Sequence, residues 1–176
     1  MKRPHLHIRI LKPSEFQALL KTATPDLLPA VALAGFCGLR TMEILGLDWA
    51  DIDLEKRTVL INCDAQLVRR RRVAPLPEAA IAWLASIAKD SGPVVHNNSR
   101  KDFCRETDAV WKSAGVKRSP NILRFSVMSY LFAATNNPSR TARELRTSPE
   151  FLERHLLKSI STEDIEAWFS IFPHSA

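Results

Sequence analysis

The sequence predicts a mostly α-helical α+β domain with one small antiparallel sheet near residues 52–76. Three observations predict it. Apolar residues recur at helical spacing along most of the chain. One stretch, Thr58-Val59-Leu60-Ile61, is instead β-branched and apolar. Proline, glycine and capping residues mark where the helical stretches start and stop. The 176 residues suit a single domain, 1–176, that can bury a sizeable core.

The elements follow in order. Residues 11–22 read as a helix capped by Ser14, with Pro13 just before the cap and Phe16, Leu19 and Leu20 as its buried stripe. Pro25-Asp26 opens a second helix that is nearly all apolar through Phe36, so it belongs at the centre of the core. Gly38 interrupts it, and Thr41 to Leu47 supplies a third helical segment. Asp53 to Arg57 is turn-like, Thr58 to Ile61 is a strand, and Ala65 to Leu76 can pair back on it. Pro77 to Ile87 returns to helical spacing, with Ile81, Leu84 and Ile87 on one face, and Asp90-Ser91-Gly92-Pro93 ends it. Further helices are expected around 101–114, 123–135, 139–146, 149–157 and 162–170.

Composition narrows the function classes. No run approaches the roughly 20 apolar residues of a membrane span, and no apolar signal segment follows the basic start Met1-Lys2-Arg3. Cys37, Cys63 and Cys104 are odd in number and widely spaced, which suits reduced thiols in a cytoplasmic protein better than disulfides or zinc. His5, His7, His96, His155 and His174 are scattered, so neither metal nor cofactor is expected. The net charge of +6 permits an anionic partner. Arg69-Arg70-Arg71-Arg72, placed near the hairpin turn, is the one four-residue block of like charge. By itself it reads equally well as a solvated loop.

Two further stretches carry a resemblance. Gly38-Leu39-Arg40-Thr41-Met42-Glu43-Ile44-Leu45-Gly46-Leu47-Asp48-Trp49 resembles the first arginine motif of tyrosine recombinases (phage-type integrases), and Asn121-Ile122-Leu123-Arg124 resembles the second. The resemblance runs from about Ile8 to Pro173 and implies the family's catalytic-domain fold, a helical bundle with a small sheet. In that family a tyrosine attacks a DNA phosphodiester. Two arginines stabilise charge on the non-bridging oxygens, and a hairpin lysine and histidines move protons. The resemblance places Arg40 and Arg124 at the two arginines, with Glu43 one helical turn on, where it can brace Arg40 or a neighbouring donor.

The departures fall on the proton-transfer and covalent positions. Asn121 stands where the family usually has histidine. The hairpin lysine falls near Gln66 or Leu67, and the Gly-His pair is Arg146-Thr147. The final His-Tyr pair is His155-Leu156. Leucine has no nucleophilic atom, so covalent cleavage from position 156 is excluded. Tyr130, the single tyrosine, lies in an apolar helix and reads as a core or hydrogen-bonding residue, and Ser126, Ser129, Ser159 and Ser161 read as helix-surface or capping residues.

The resemblance therefore implies a catalytically degenerate recombinase domain. Its ancestral role is site-specific DNA recombination and integration, and Arg40, Arg124 and Arg69 to Arg72 are expected to hold duplex phosphates weakly and salt-sensitively. The family's amino-terminal core-binding domain is expected to be absent. An alternative stays open, a protein-interaction module or relic without a DNA role. Trp168, Phe169 and Phe172 would serve there as a self-association surface, although core packing explains the same residues.

Overall fold

The computed structural model describes residues 8–65, 68–96, 99–156 and 160–173, with the side chains of 63–65 and 68–70 excepted. Among the described residues the order is α1 (Pro13–Thr22), α2 (Leu28–Cys37), α3 (Thr41–Leu45), β1 (Ile52–Asp53), β2 (Thr58–Ala65) and β3 (Val68–Pro75). Then come α4 (Glu78–Ala85), α5 (Arg100–Ser113), α6 (Ile122–Thr135), α7 (Pro138–Leu145), α8 (Pro149–His155) and α9 (Thr162–Phe169). This is the helical architecture with a small antiparallel sheet that the sequence predicts.

Helix α2 is central because its residues are apolar on every side, and it packs against α1, α3, α4 and α6. Its Gly35 is required by close approach, since a Cβ there would meet the Phe16 ring at 2.1 Å. Around this contact an aromatic column forms. Phe16 meets Phe36 edge-on with centroids 4.8 Å apart, stacks on Trp168 at 4.5 Å, and Trp168 stacks on Tyr130 at 4.4 Å. Trp168 of α9 thereby ties the last helix to α1 and α6.

The sheet runs β1-β2-β3, antiparallel throughout. Thr58 pairs with Pro75 and Ala65 with Val68, so the strands are longer than the β-branched stretch alone suggested. Period-two alternation buries Arg72, Ala74 and Leu76 while Arg71, Val73 and Pro75 face solvent.

A second, smaller apolar cluster joins the far end of α6 to α7 and α8. Met128, Phe132, Ala142, Leu145, Leu152 and Leu156 form it. Short helices suffice here because each has its own cap: Asn137 accepts from Arg140 N–H at 2.9 Å, and Ser148 accepts from Phe151 N–H at 3.1 Å.

Three local expectations need correction. Ser14 lies inside α1, not at its cap. The helix starts at Pro13 after Lys12, whose N–H is satisfied by the Glu15 carboxylate at 2.8 Å. Ser126 and Ser129 are buried rather than at the surface. The Ser126 hydroxyl donates to Ile122 O and accepts from Leu11 N–H, fixing the segment before α1 onto α6, and Ser129 donates to Phe125 O. Ser161 does cap α9, accepting from Asp164 N–H at 3.1 Å. Ser159 lies outside the described residues.

Candidate functional site

The end of α2 sets the geometry. Gly38 closes the helix with φ 65, a left-handed turn at which a Cβ would also come within 2.8 Å of Leu145. Two residues later Arg40 precedes α3. Across from this turn, Arg124 is the third residue of α6 and is buried. Its Nη1 donates to Gly38 O, and its Nη2 donates to Leu145 O and, at 3.4 Å, to Arg146 O. Arg40 reaches the same carbonyl, donating from Nη2 to Arg146 O at 2.9 Å. The two expected arginines are thus brought together on one backbone oxygen, although 84 residues of sequence separate them.

Glu43 forms the other link. It accepts from Arg40 N–H at 2.8 Å and from Arg40 Nη1 at 3.3 Å, and it accepts from Arg72 Nη2 at 2.9 Å. The bracing expected of Glu43 is present, and it extends to a partner on β3 that sequence spacing did not suggest. Burial alone would raise the Glu43 carboxyl. The hydrogen bonds from Arg40 and Arg72, with their positive charges, outweigh burial and hold it below the ordinary glutamate value. Burial, then the nearby charges of Arg40 and Arg72, bring the Arg124 guanidinium down to about 10. It stays cationic at neutral pH.

Two guanidinium groups therefore share one carboxylate with a third, Arg124, close by, and the cluster keeps excess positive charge. Exposure separates their roles. The Arg40 side chain is 48% exposed and can present N–H donors to an anion, whereas Arg72 is 6% exposed and is held behind the surface by Glu43. Arg124 is as buried, 7% exposed, but lines an open recess, so the correction as a direct phosphate ligand falls on Arg72. Strand alternation turns it inward, where its Nε and Nη1 have no hydrogen-bond partner among the described residues. Arg71 faces solvent, and the side chains of Arg69 and Arg70 lie outside the described set. The inward position was legible in principle, because 71 to 76 alternates once β3 is aligned on β2.

The remaining expected positions disperse around this cluster. Asn121 is exposed just before α6 in a left-handed conformation, φ 56. Thr147 is half-buried, its N–H donating to Ala142 O at 3.0 Å. Leu156 is buried in the smaller apolar cluster, with Leu145 among its members. His155 is half-buried against the Phe151 ring. Gln66 and Leu67 lie outside the described residues. Tyr130 is buried, donates to Leu11 O at 2.9 Å, and its phenol is pushed up to about 12, chiefly by burial. It is the core hydrogen-bonding residue the sequence suggested. Trp168 is fully buried, so core packing accounts for it, while Phe172 is 41% exposed.

The recess beside Arg124, walled by Leu39, Phe103, Trp111 and Asn121, has a volume of 90 Å³, well below the about 300 Å³ of a small-molecule site. Among the described residues no three His, Cys, Asp or Glu side chains converge as metal ligands, and no helix is long and apolar enough to cross a membrane. The arrangement suits phosphate oxygens meeting an open cationic surface.

Comparison with known proteins agrees with this architecture. No curated protein matches the sequence. Among solved structures, a XerA recombinase superposes with a TM-score of 0.74 at 16% identity, covering 97% of this chain and 65% of that one. An integrase from mycobacterium phage Brujita superposes with a TM-score of 0.71 at 19% identity, covering 96% and 66%. A XerH site-specific recombinase bound to difH substrate, in a pre-cleavage complex, gives 0.64 at 17% identity, covering 97% and 55%. The chain thus spans about two thirds or less of the length of these proteins, and at such identities the likeness is one of fold. Residues 9–156 match the phage integrase family over most of the chain, and the chain belongs to that family.

Proposed function

We propose that this domain binds duplex DNA through its backbone phosphates at Arg40 and Arg124 and does not cleave it. The observation that carries this reading is the convergence of both arginines on the Arg146 carbonyl, with Arg40 half-exposed and the cluster in positive excess. Guanidinium donors fixed in this way suit oxyanions, and held to the backbone they grip phosphate without reading bases. Arg71 extends the cationic face along the hairpin, and Arg72 reinforces it through Glu43. The solved XerH complex holds a DNA substrate, and a duplex is the corresponding partner here.

The absence of cleavage rests on chemistry at the position assigned to the nucleophile. Leu156 offers no attacking atom and is packed among apolar side chains. Tyr130 cannot replace it, because its hydroxyl is committed to Leu11 O inside the core. Site-specific recombination is then the ancestral activity, and phosphate binding is what persists.

The test is equilibrium binding of a labelled generic duplex across roughly 20 to 200 mM salt. Binding should weaken steeply with salt, and the Arg40→Ala/Arg124→Ala double variant should bind more weakly with a shallower slope. Plasmid should stay supercoiled on prolonged incubation. Absence of binding at the lowest salt would remove the DNA reading, and relaxation abolished by Tyr130→Phe would remove the non-cleaving one.

A further inference from the structure

A second set of cations adjoins the arginine pair. Helix α7 carries Arg143 in its last turn and is followed by Arg146 at its C-cap, and both residues are exposed. Together with Ser139, Ala142, Thr147 and Pro149 they line an open notch of 540 Å³. Arg140, one turn earlier, is neutralised by Glu144 at 3.0 Å. Among the described residues Arg143 and Arg146 have no carboxylate partner. Two arginines and two hydroxyl-bearing residues therefore line one opening with no acidic residue among them, a set of residue types suited to a phosphate.

The backbone of Arg146 adds an independent observation. It adopts φ 52 and ψ 57, the left-handed region that glycine enters freely and a side chain enters at a cost. The turn itself gains nothing from an arginine side chain. It is held by main-chain bonds, with the N–H groups of Arg146 and Thr147 both donating to Ala142 O. Strained positions of this kind cluster at ligand sites. This one also supplies the carbonyl on which Arg40 and Arg124 converge, so the notch and the arginine pair are built on the same residue.

We propose that Arg143 and Arg146 form a second phosphate subsite, holding another backbone phosphate of the same DNA that Arg40 and Arg124 grip. The inference rests on the DNA-binding reading above and extends it to a surface that neither arginine motif contains.

The test combines duplex binding over the same salt series with thermal melting. Arg146→Gly removes one guanidinium and relieves the left-handed strain. It should melt about 2–4 °C higher, bind about 3- to 10-fold more weakly at low salt, and show a salt slope shallower by about one unit. Arg143→Gln should weaken binding and flatten the slope similarly with no gain in melting temperature. Arg140→Gln, already paired, should change neither. Should Arg146→Gly melt lower instead, Arg143→Gln decides by the same slope criterion, since it leaves the backbone untouched. Unchanged affinity and slope in both Arg143→Gln and Arg146→Gly, with Arg40→Ala still weakening binding, would overturn the subsite and leave the arginine pair standing. No binding by the parent protein at the lowest salt would overturn both.

Discussion

The arginine cluster and the apolar cluster around Leu156 meet at Leu145, yet they hold their residues by opposite means. Arg40, Arg72 and Arg124 are fixed by hydrogen bonds to one carboxylate and three carbonyls. The Leu156 side chain is fixed by burial among Met128, Phe132, Ala142, Leu145 and Leu152. Arg124 joins α6 to the end of α2 and the end of α7, so it is a structural clamp as well as a candidate ligand. Removing it would strand buried carbonyls, which cost about 1–3 kcal/mol each when left unmade. A side chain at 156 has no such polar duty. An arginine here is therefore held by the fold itself, whereas the residue at 156 has only to fill the cluster around it.

Breaking the polar side should have the largest effect. Glu43→Gln leaves the buried Arg72 without its counter-ion and should destabilise by about 3–5 kcal/mol in denaturant unfolding. An additional Arg72→Met should recover part of that loss. On the apolar side, Leu156→Ala should cost about 2–4 kcal/mol through lost burial and a residual cavity. Its DNA affinity, measured well below the melting temperature, should change little. Equal losses of affinity in Leu156→Ala and Arg40→Ala would erase the distinction between the two regions.

Acid should sharpen the comparison. The Glu43 carboxyl is held below its ordinary value in the folded state. Its stabilising contribution is therefore complete above about pH 4.3, the ordinary glutamate value, and is lost as pH falls through the lower folded value. An acid unfolding series should show this component in the parent protein and in Leu156→Ala, and lack it in Glu43→Gln. The smallest effect on stability belongs to Arg40→Ala. Its ion pair with Glu43 is half-exposed, so the loss should stay under about 1 kcal/mol, while the salt slope for duplex binding falls by about one unit.

Much of this was legible in the sequence, for identifiable reasons. Helix α2 could be placed at the core because it is apolar on all sides, and α1 because Phe16, Leu19 and Leu20 share one face. The strand at 58–61 declared itself by β-branching, and the Gly38 turn by its glycine. The motifs at 38–49 and 121–124 identified the arginines and the family. Leu156 was legible as an apolar residue without nucleophilic chemistry. Strand ends and caps were less legible. Ser14 carries capping chemistry, yet the chain starts its helix at Pro13 and uses Glu15 instead.

Sequence by itself determined which groups exist: two motif arginines, a basic block, and a leucine without nucleophilic chemistry. Only the tertiary structure decided which of those cations face outward. Arg71 and Arg72 are neighbours of identical chemistry, and the pleat of β3 sends one to solvent and the other to Glu43. Arg40 and Arg124 become a pair through the carbonyl of Arg146, which belongs to neither motif. In the sequence Arg146 stands out only as the residue at the Gly-His position, and its left-handed backbone appears once α7 has turned into α8. The physical reason is common to all three cases. A guanidinium is a donor wherever it stands, but whether it clamps the fold or waits for an anion depends on the acceptors that long-range packing sets beside it.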